Sequence, residues 1–208
     1  PDDFQNHFIE GLNLNSLKRT RDAITCIEKS LQLYPNLLNA WVNLAMFNAR
    51  VGDTDAMNRA IDRALALKPD ELVVLNVRAS NLDRAGDHGK LLAIMGPQVE
   101  AYAAYRKSED WPKDEGAKQL QGSYEQALEH ATKAAQQLGK WDKAAQYARW
   151  LVEADDQDVG RVAQLAEALD KAGRLDEALP FHRRAAELSR RGRPDLKREY
   201  ALALARSG

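Results

Sequence analysis

The residues in this 208-residue chain whose types could do chemistry are four histidines, one cysteine and a lysine in a glycine-flanked run. His7, His88, His130 and His182 are each capable of ligating a metal. One helix face presents two such ligands only when they stand three or four residues apart, and none of the four has a partner at that spacing. No metal is expected, and these side chains read as surface or packing histidines. Cys26 is the one cysteine, so it forms neither an internal disulfide nor a cysteine-based zinc site. Beside Ile24 and Ile27 it reads as a buried, inert thiol rather than a nucleophile. Gly86-Asp87-His88-Gly89-Lys90 invites comparison with a phosphate-cradling loop but lacks both the spacing and the trailing Ser or Thr. Glu–Lys and Asp–Arg pairs are plentiful, as on a solvated helical face. No catalytic constellation emerges, so neither an enzyme nor a cofactor is expected.

Composition narrows the elements that must carry these residues. Thirty Lys+Arg against 31 Asp+Glu leave a net charge of −1 without a long block of either sign, so nucleic acid is not an expected partner. The hydrophobic fraction of 44% is that of a globular chain. No apolar run exceeds six residues, against the ~20 of a membrane helix, so no membrane insertion is expected. Gly (12) and Pro (7) are scarce while Ala, Leu and the long straight-chain residues dominate, which predicts an all-helical protein. A single cysteine fits a reducing compartment. The chain begins at Pro1 without an initiator Met, as a processed end or a boundary. The expected location is cytoplasmic, or periplasmic if a signal peptide was removed.

The elements recur. Ser30-Leu31-Gln32-Leu33-Tyr34-Pro35 returns 34 residues later as Ala64-Leu65-Ala66-Leu67-Lys68-Pro69. Gly52-Asp53 returns after 34 as Gly86-Asp87, and Gly139-Lys140 after 34 as Gly173-Arg174. The step from Gly86 to Gly139 is 53, one period plus 19, so an insertion separates two in-phase arrays. Each period holds two amphipathic stripes. Leu38, Trp41, Val42, Leu44 and Ala45 precede Gly52, and Met57, Ala60, Ile61, Ala64 and Leu65 follow it up to Pro69. Small residues stand where antiparallel helices must approach closely: Gly11, Ala45, Ala79, Thr132 and Ala166 on first helices, Ser30, Ala64 and Ala185 on second helices.

A 34-residue helix–turn–helix with Trp41, Leu44-Ala45, Gly52, Ile61, Ala64 and Pro69 resembles the tetratricopeptide repeat family. Departures from the family pattern are His7 and Leu75 in place of Trp, Met57 and Leu91 in place of Ala, and Asp156 in place of Pro. The resemblance implies an all-α, right-handed α-solenoid of about five such units with a C-terminal capping helix. The expected division is an N-terminal array at 1–96, an irregular helical insertion or degenerate repeat at 97–124, and a C-terminal array with the cap at 125–208. Pro97 is expected to start a short helix from Gln98 to Arg106, and Ser108-Glu109-Asp110-Trp111-Pro112 to lie in a loop. Glu115 to Leu138 reads as one long helix that Gly122 would bend, and Pro180 predicts a late start or a kink. Tyr102, Tyr105 and Trp111 are either core of the degenerate repeat or aromatics offered to a partner.

In this family the first helix of each pair lines a concave groove along which peptides lie. Transferred to this chain, that implies a partner-binding set of Phe8, Leu12, Asn39, Val42, Asn43, Met46, Asn76, Val77 and Ser80. In the second array it implies Gln126, Glu129, His130, Lys133, Ala163, Gln164 and Glu167. An asparagine amide both donates and accepts, and so matches a peptide backbone whatever its side chains. Asn43 stands where O-linked N-acetylglucosamine transferases carry an asparagine ladder, although only that rung is in register. Phe8 and Leu12 replace the Lys and Asn of the clamp that grips chaperone C-termini, which argues against that use. The function implied is a noncatalytic scaffold binding a protein or peptide in its groove. The alternatives are an accessory or substrate-presenting domain of a larger enzyme, such as a glycosyltransferase or hydroxylase, and a self-assembling scaffold that forms a homo-oligomer.

Overall fold

The computed structural model describes residues 3–109, 115–189 and 194–207. Among them, eleven helices follow one another with no strand. They are α1 Phe4–Ser16, α2 Thr20–Leu33, α3 Leu38–Val51, α4 Thr54–Leu67, α5 Leu72–Arg84, α6 His88–Arg106, α7 Glu115–Gln137, α8 Trp141–Ala154, α9 Val159–Lys171, α10 Leu175–Leu188 and α11 Pro194–Ser207. Trp111, with Asp110 and Pro112, lies outside the described residues.

One backbone device closes each hairpin. Gly52, Gly86, Gly139 and Gly173 have φ of 81°, 73°, 66° and 76°, a left-handed conformation that a Cβ makes costly. The following residue then sends its N–H back five positions: Asp53 to the Asn48 carbonyl (3.0 Å), Asp87 to Leu82 (2.9 Å), Lys140 to Ala135 (2.8 Å) and Arg174 to Leu169 (2.9 Å). This bond satisfies a carbonyl that the end of the helix would otherwise leave without a partner. The first hairpin makes the same turn without glycine. Lys18 has φ 62°, and the Arg19 N–H reaches the Leu14 carbonyl at 3.0 Å.

The chain forms two compact units. Unit 1, residues 1–78, holds α1 to α4 and the start of α5 around Ile27, Phe47, Met57 and Ile61, each 2% exposed or less. Burying a side chain of that size contributes roughly 1.5–3 kcal/mol. Its small residues have evident work in packing. A Cβ on Gly11 would stand 2.8 Å from Ile27 Cδ1, so α1 and α2 approach as closely as glycine allows. Ser30 is fully buried and its Oγ donates to the Phe4 carbonyl at 2.8 Å. Ala45 and Ala64 are buried as well.

Unit 2, residues 79–208, holds the end of α5 and α6 to α11 around Leu91, Met95, Tyr124, Leu128, Tyr147, Leu151 and Leu165. Ala79, Thr132, Ala166 and Ala185 are buried at their expected close approaches. The terminal helix α11 packs on α10 through buried Leu196 and Ala203. Neither Pro97 nor Pro180 sets the start of the helix that contains it. α6 starts at His88 and runs through Pro97 rather than beginning there. An interior proline forfeits one backbone hydrogen bond. Here Met95 and Val99 on either side are fully buried, and Glu100 accepts a hydrogen bond from Tyr147 at 2.8 Å, so packing holds the helix through the defect. Likewise α10 starts at Leu175 with Pro180 inside it. The 23-residue α7 continues through Gly122 as one helix, and Tyr102 of α6 stacks on Tyr124 of α7 at 6.2 Å. Tyr102 is half-buried and Tyr105 is 38% exposed. The expected divisions near 97 and 125 thus fall within α6 and α7, inside unit 2.

Candidate functional site

The nine residues expected to bind a partner are distributed over α1, α3 and α5. In unit 1, Leu12 and Asn39 are exposed, while Phe8, Asn43, Met46 and Val77 are half-buried. Phe8, Met46 and Val77 pack against the buried core cluster of unit 1, which includes Ile27, Phe47 and Ile61, so their outer surfaces form an apolar skin over the core. Val42 and Asn76 are buried, at 9% and 3% exposure. The Asn43 Nδ2 donates to the Asn39 carbonyl one turn back at 2.7 Å, which fixes the amide and leaves its Oδ1 and second N–H for other partners. Arg50 Nη1 donates to Asn15 Oδ1 at 2.9 Å and ties α3 to α1 at the end of this surface.

Unit 1 also carries a cleft of about 840 Å³ between α2 and α4, floored by Leu31, Trp41 and Leu44. Trp41 Nε1 donates to the Pro35 carbonyl at 2.7 Å, and the Arg63 guanidinium lies 5.6 Å from its ring.

Ser80, the ninth residue, belongs to unit 2, where its Oγ lies 3.2 Å from His130 Nε2. Burial pushes the His130 pKa down. The Asp83 carboxylate is engaged by Lys133 Nζ at 2.6 Å, which holds its pKa below the usual range, and lies 3.7 Å from His88 Nδ1. Arg161 of α9 reaches back to Glu125 (2.8 Å) and Glu129 (3.3 Å) of α7. Gln164 Nε2 donates to Gln136 Oε1 at 3.2 Å. Among the described residues no group of three or more His, Cys, Asp or Glu is placed to hold a metal ion, and no helix is long and apolar enough to cross a membrane. Cys26 is half-buried, and burial together with Glu10 raises its thiol pKa, away from the reactive thiolate.

Residues 162–196, which span most of α9, all of α10 and the start of α11, match the family model described as tetratricopeptide repeat. Most of the chain superposes on solved structures of that hairpin architecture. MamA of Desulfovibrio magneticus RS-1, from residue 41 to its end, gives a TM-score of 0.69 at 14% identity, over 92% of this chain and 98% of that one. Another MamA structure gives 0.68 at 13% identity, over 89% and 91%. PilW, a widely conserved type IV pilus biogenesis factor, gives 0.64 at 18% identity, over 97% and 86%. This is a tetratricopeptide-repeat fold. No curated protein matches the chain by sequence.

Within the tetratricopeptide frame, one cluster escaped the sequence reading. The Asp170 and His182 side chains of the matched repeat are 9% and 7% exposed, and His182 Nε2 donates to Asp170 Oδ2 at 3.0 Å. Arg206 of the terminal helix reaches the same oxygen at 3.3 Å. All three line a cavity of about 760 Å³ between α9, α10 and α11. In the sequence His182 stands alone, because its partners lie 12 positions before it and 24 after it. The available signal was the hairpin itself: antiparallel helices joined at Gly173 bring the end of α9 alongside α10.

Proposed function

We propose that the chain is a noncatalytic interaction scaffold that binds an extended or helical peptide segment of a partner protein on the first-helix surface of unit 1. The observation that carries this reading is the mixed character of that surface. Leu12 and the outer faces of Phe8, Met46 and Val77 offer apolar anchors, beside Asn39 and the oriented amide of Asn43. Apolar anchors supply affinity, and amides of this kind order a peptide backbone without demanding a particular side chain. The tetratricopeptide fold supports the reading by analogy, because a fold by itself does not assign a function.

Selection from a random-peptide display library is the direct test. Peptides recovered on the intact chain are expected to lose binding to the double variant Asn43→Ala, Met46→Glu, with helicity by circular dichroism showing that the variant remains folded. Peptides that bind the folded double variant as well as the parent would remove the assignment to this surface.

A further inference from the structure

We propose that the cleft between α2 and α4 is a docking site for an extended segment of a partner polypeptide in which an acidic residue stands between two apolar ones. The cleft lies wholly in unit 1 and shares no residue with the first-helix surface, so it stands apart from the reading above.

Three observations converge. The first is a polar residue at a position that is otherwise apolar. In the five glycine- or lysine-closed hairpins the carbonyl that takes the turn N–H belongs to Leu14, Asn48, Leu82, Ala135 and Leu169, so these residues are equivalent. Asn48 alone among them is polar, and it is 4% exposed. Its Nδ2 donates to the Leu44 carbonyl at 2.9 Å. Among the described residues nothing donates to its Oδ1, and Oδ1 is not one of the orphaned polar atoms sealed from solvent, so it opens on the cleft that Asn48 lines. An amide set this deep carries a desolvation cost until its acceptor is met, and a peptide N–H entering the cleft meets it.

The second is charge. Arg59 and Arg63 stand one turn apart on the α4 wall, and neither makes an ion pair among the described residues. The Arg63 guanidinium lies 5.6 Å from the Trp41 ring, which holds it beside the cleft. Of the two carboxylates that also line the cleft, Asp62 is engaged by Arg78, and Glu28 stands on the opposite wall. The α4 wall thus offers two guanidinium forks to a carboxylate.

The third is the floor. Leu31, Trp41 and Leu44 form an apolar strip, and the bond from Trp41 to the Pro35 carbonyl fixes the indole, so the strip is formed in advance. Successive side chains of an extended chain point to opposite sides. An apolar–acidic–apolar run therefore sets both apolar side chains on the strip and lifts the carboxylate to the arginines at the rim. About 840 Å³ is within the range of pockets that enclose a ligand of that size.

The probe is the blocked tripeptide acetyl-Leu-Glu-Leu-amide, titrated into the full chain and followed by two-dimensional NMR, with acetyl-Leu-Gln-Leu-amide as its neutral isostere. The acidic peptide is expected to shift resonances of α2, α4 and Asn48, and the glutamine peptide to bind about fivefold more weakly. Arg59→Gln with Arg63→Gln, both at exposed positions where folding is not at stake, should erase that difference and leave the glutamine peptide unaltered. Asn48→Ala, which installs the residue that the fourth hairpin carries as Ala135, should weaken both peptides about fivefold while circular dichroism stays unchanged. If Asn48→Ala loses helicity, the arginine variant decides alone. Asn43→Ala with Met46→Glu should leave both peptides unaltered, which separates this cleft from the first-helix surface. The proposal is overturned if the acidic peptide causes no shifts up to about 10 mM, if the glutamine peptide binds the parent equally well, if the first-helix variant loses binding, or if folded Asn48→Ala binds as the parent does; a bridging water would then account for Oδ1.

Discussion

Two phenols in unit 2 show how burial at a single residue becomes a measurable property. Tyr124 and Tyr147 are at most 1% exposed. Burial pushes the Tyr124 pKa up to about 12. Burial also raises the Tyr147 pKa, and the hydrogen bond it donates to Glu100 raises it further. An unfolded tyrosine ionises near ~10. Because both folded pKa values are raised, the stability linked to these groups is fully present below pH ~10 and is lost as pH climbs above it, where only the unfolded chain releases the protons. The expected outcome is a fall in Tm between about pH 10 and pH 12 that Tyr124→Phe makes shallower. The difference corresponds to a loss on the order of 2 kcal/mol and is measured by thermal melts across that range. At this scale much was legible: the small residues Gly11, Ser30, Ala64 and Thr132 all proved buried, because a period of 34 fixes which helix face each occupies. The environment of His182 was not legible. It depends on Arg206, a residue of another helix, and periodicity within one repeat says nothing about such a contact.

Among the elements, the helix-ending turn carries the most information. Four turns place glycine in the left-handed conformation, and the first places Lys18 there, where an L-residue with a Cβ is disfavoured by roughly 1–2 kcal/mol. Lys18→Gly is therefore expected to stabilise the protein by about 1 kcal/mol, and Gly173→Ala to destabilise it by about the same amount. Urea denaturation reads both, and opposite signs are required. The glycines made four hairpins visible in the sequence. The fifth was recognisable from its small residues, but its strained turn was not, since nothing in a lysine announces a positive φ. The prolines misled in the other direction. Pro97 and Pro180 are local signals to stop, yet both helices run through them, and at Pro97 the fully buried Met95 and Val99 show the packing that carries α6 across the defect. Local propensity weighs the lost hydrogen bond and is blind to that burial.

For the molecule as a whole, near-neutral charge is the property with the plainest consequence. A net charge of −1 and a pI of about 6.5 leave little long-range repulsion between copies. Exposed apolar side chains such as Leu17 (69%), Ile9 (55%) and Leu204 (46%) then meet with little to oppose them. Dynamic light scattering is expected to show the strongest self-association near pH 6.5 and a decline by about pH 8.5 as negative charge accumulates. The all-helical class and the repeating hairpin were legible from composition and spacing. The two compact units were not, because the division at residue 78 falls inside a helix where no proline, glycine or change of composition marks it.

The lock that ends each first helix also bears on how such a chain comes to have its length. It is built from main-chain atoms alone, and it forms around lysine as well as around glycine. A duplicated or deleted 34-residue block therefore brings its own closure with it, at a cost of roughly 1–2 kcal/mol wherever a residue other than glycine takes the left-handed position. A change in length by whole hairpins thus leaves the turn chemistry of the remaining units untouched.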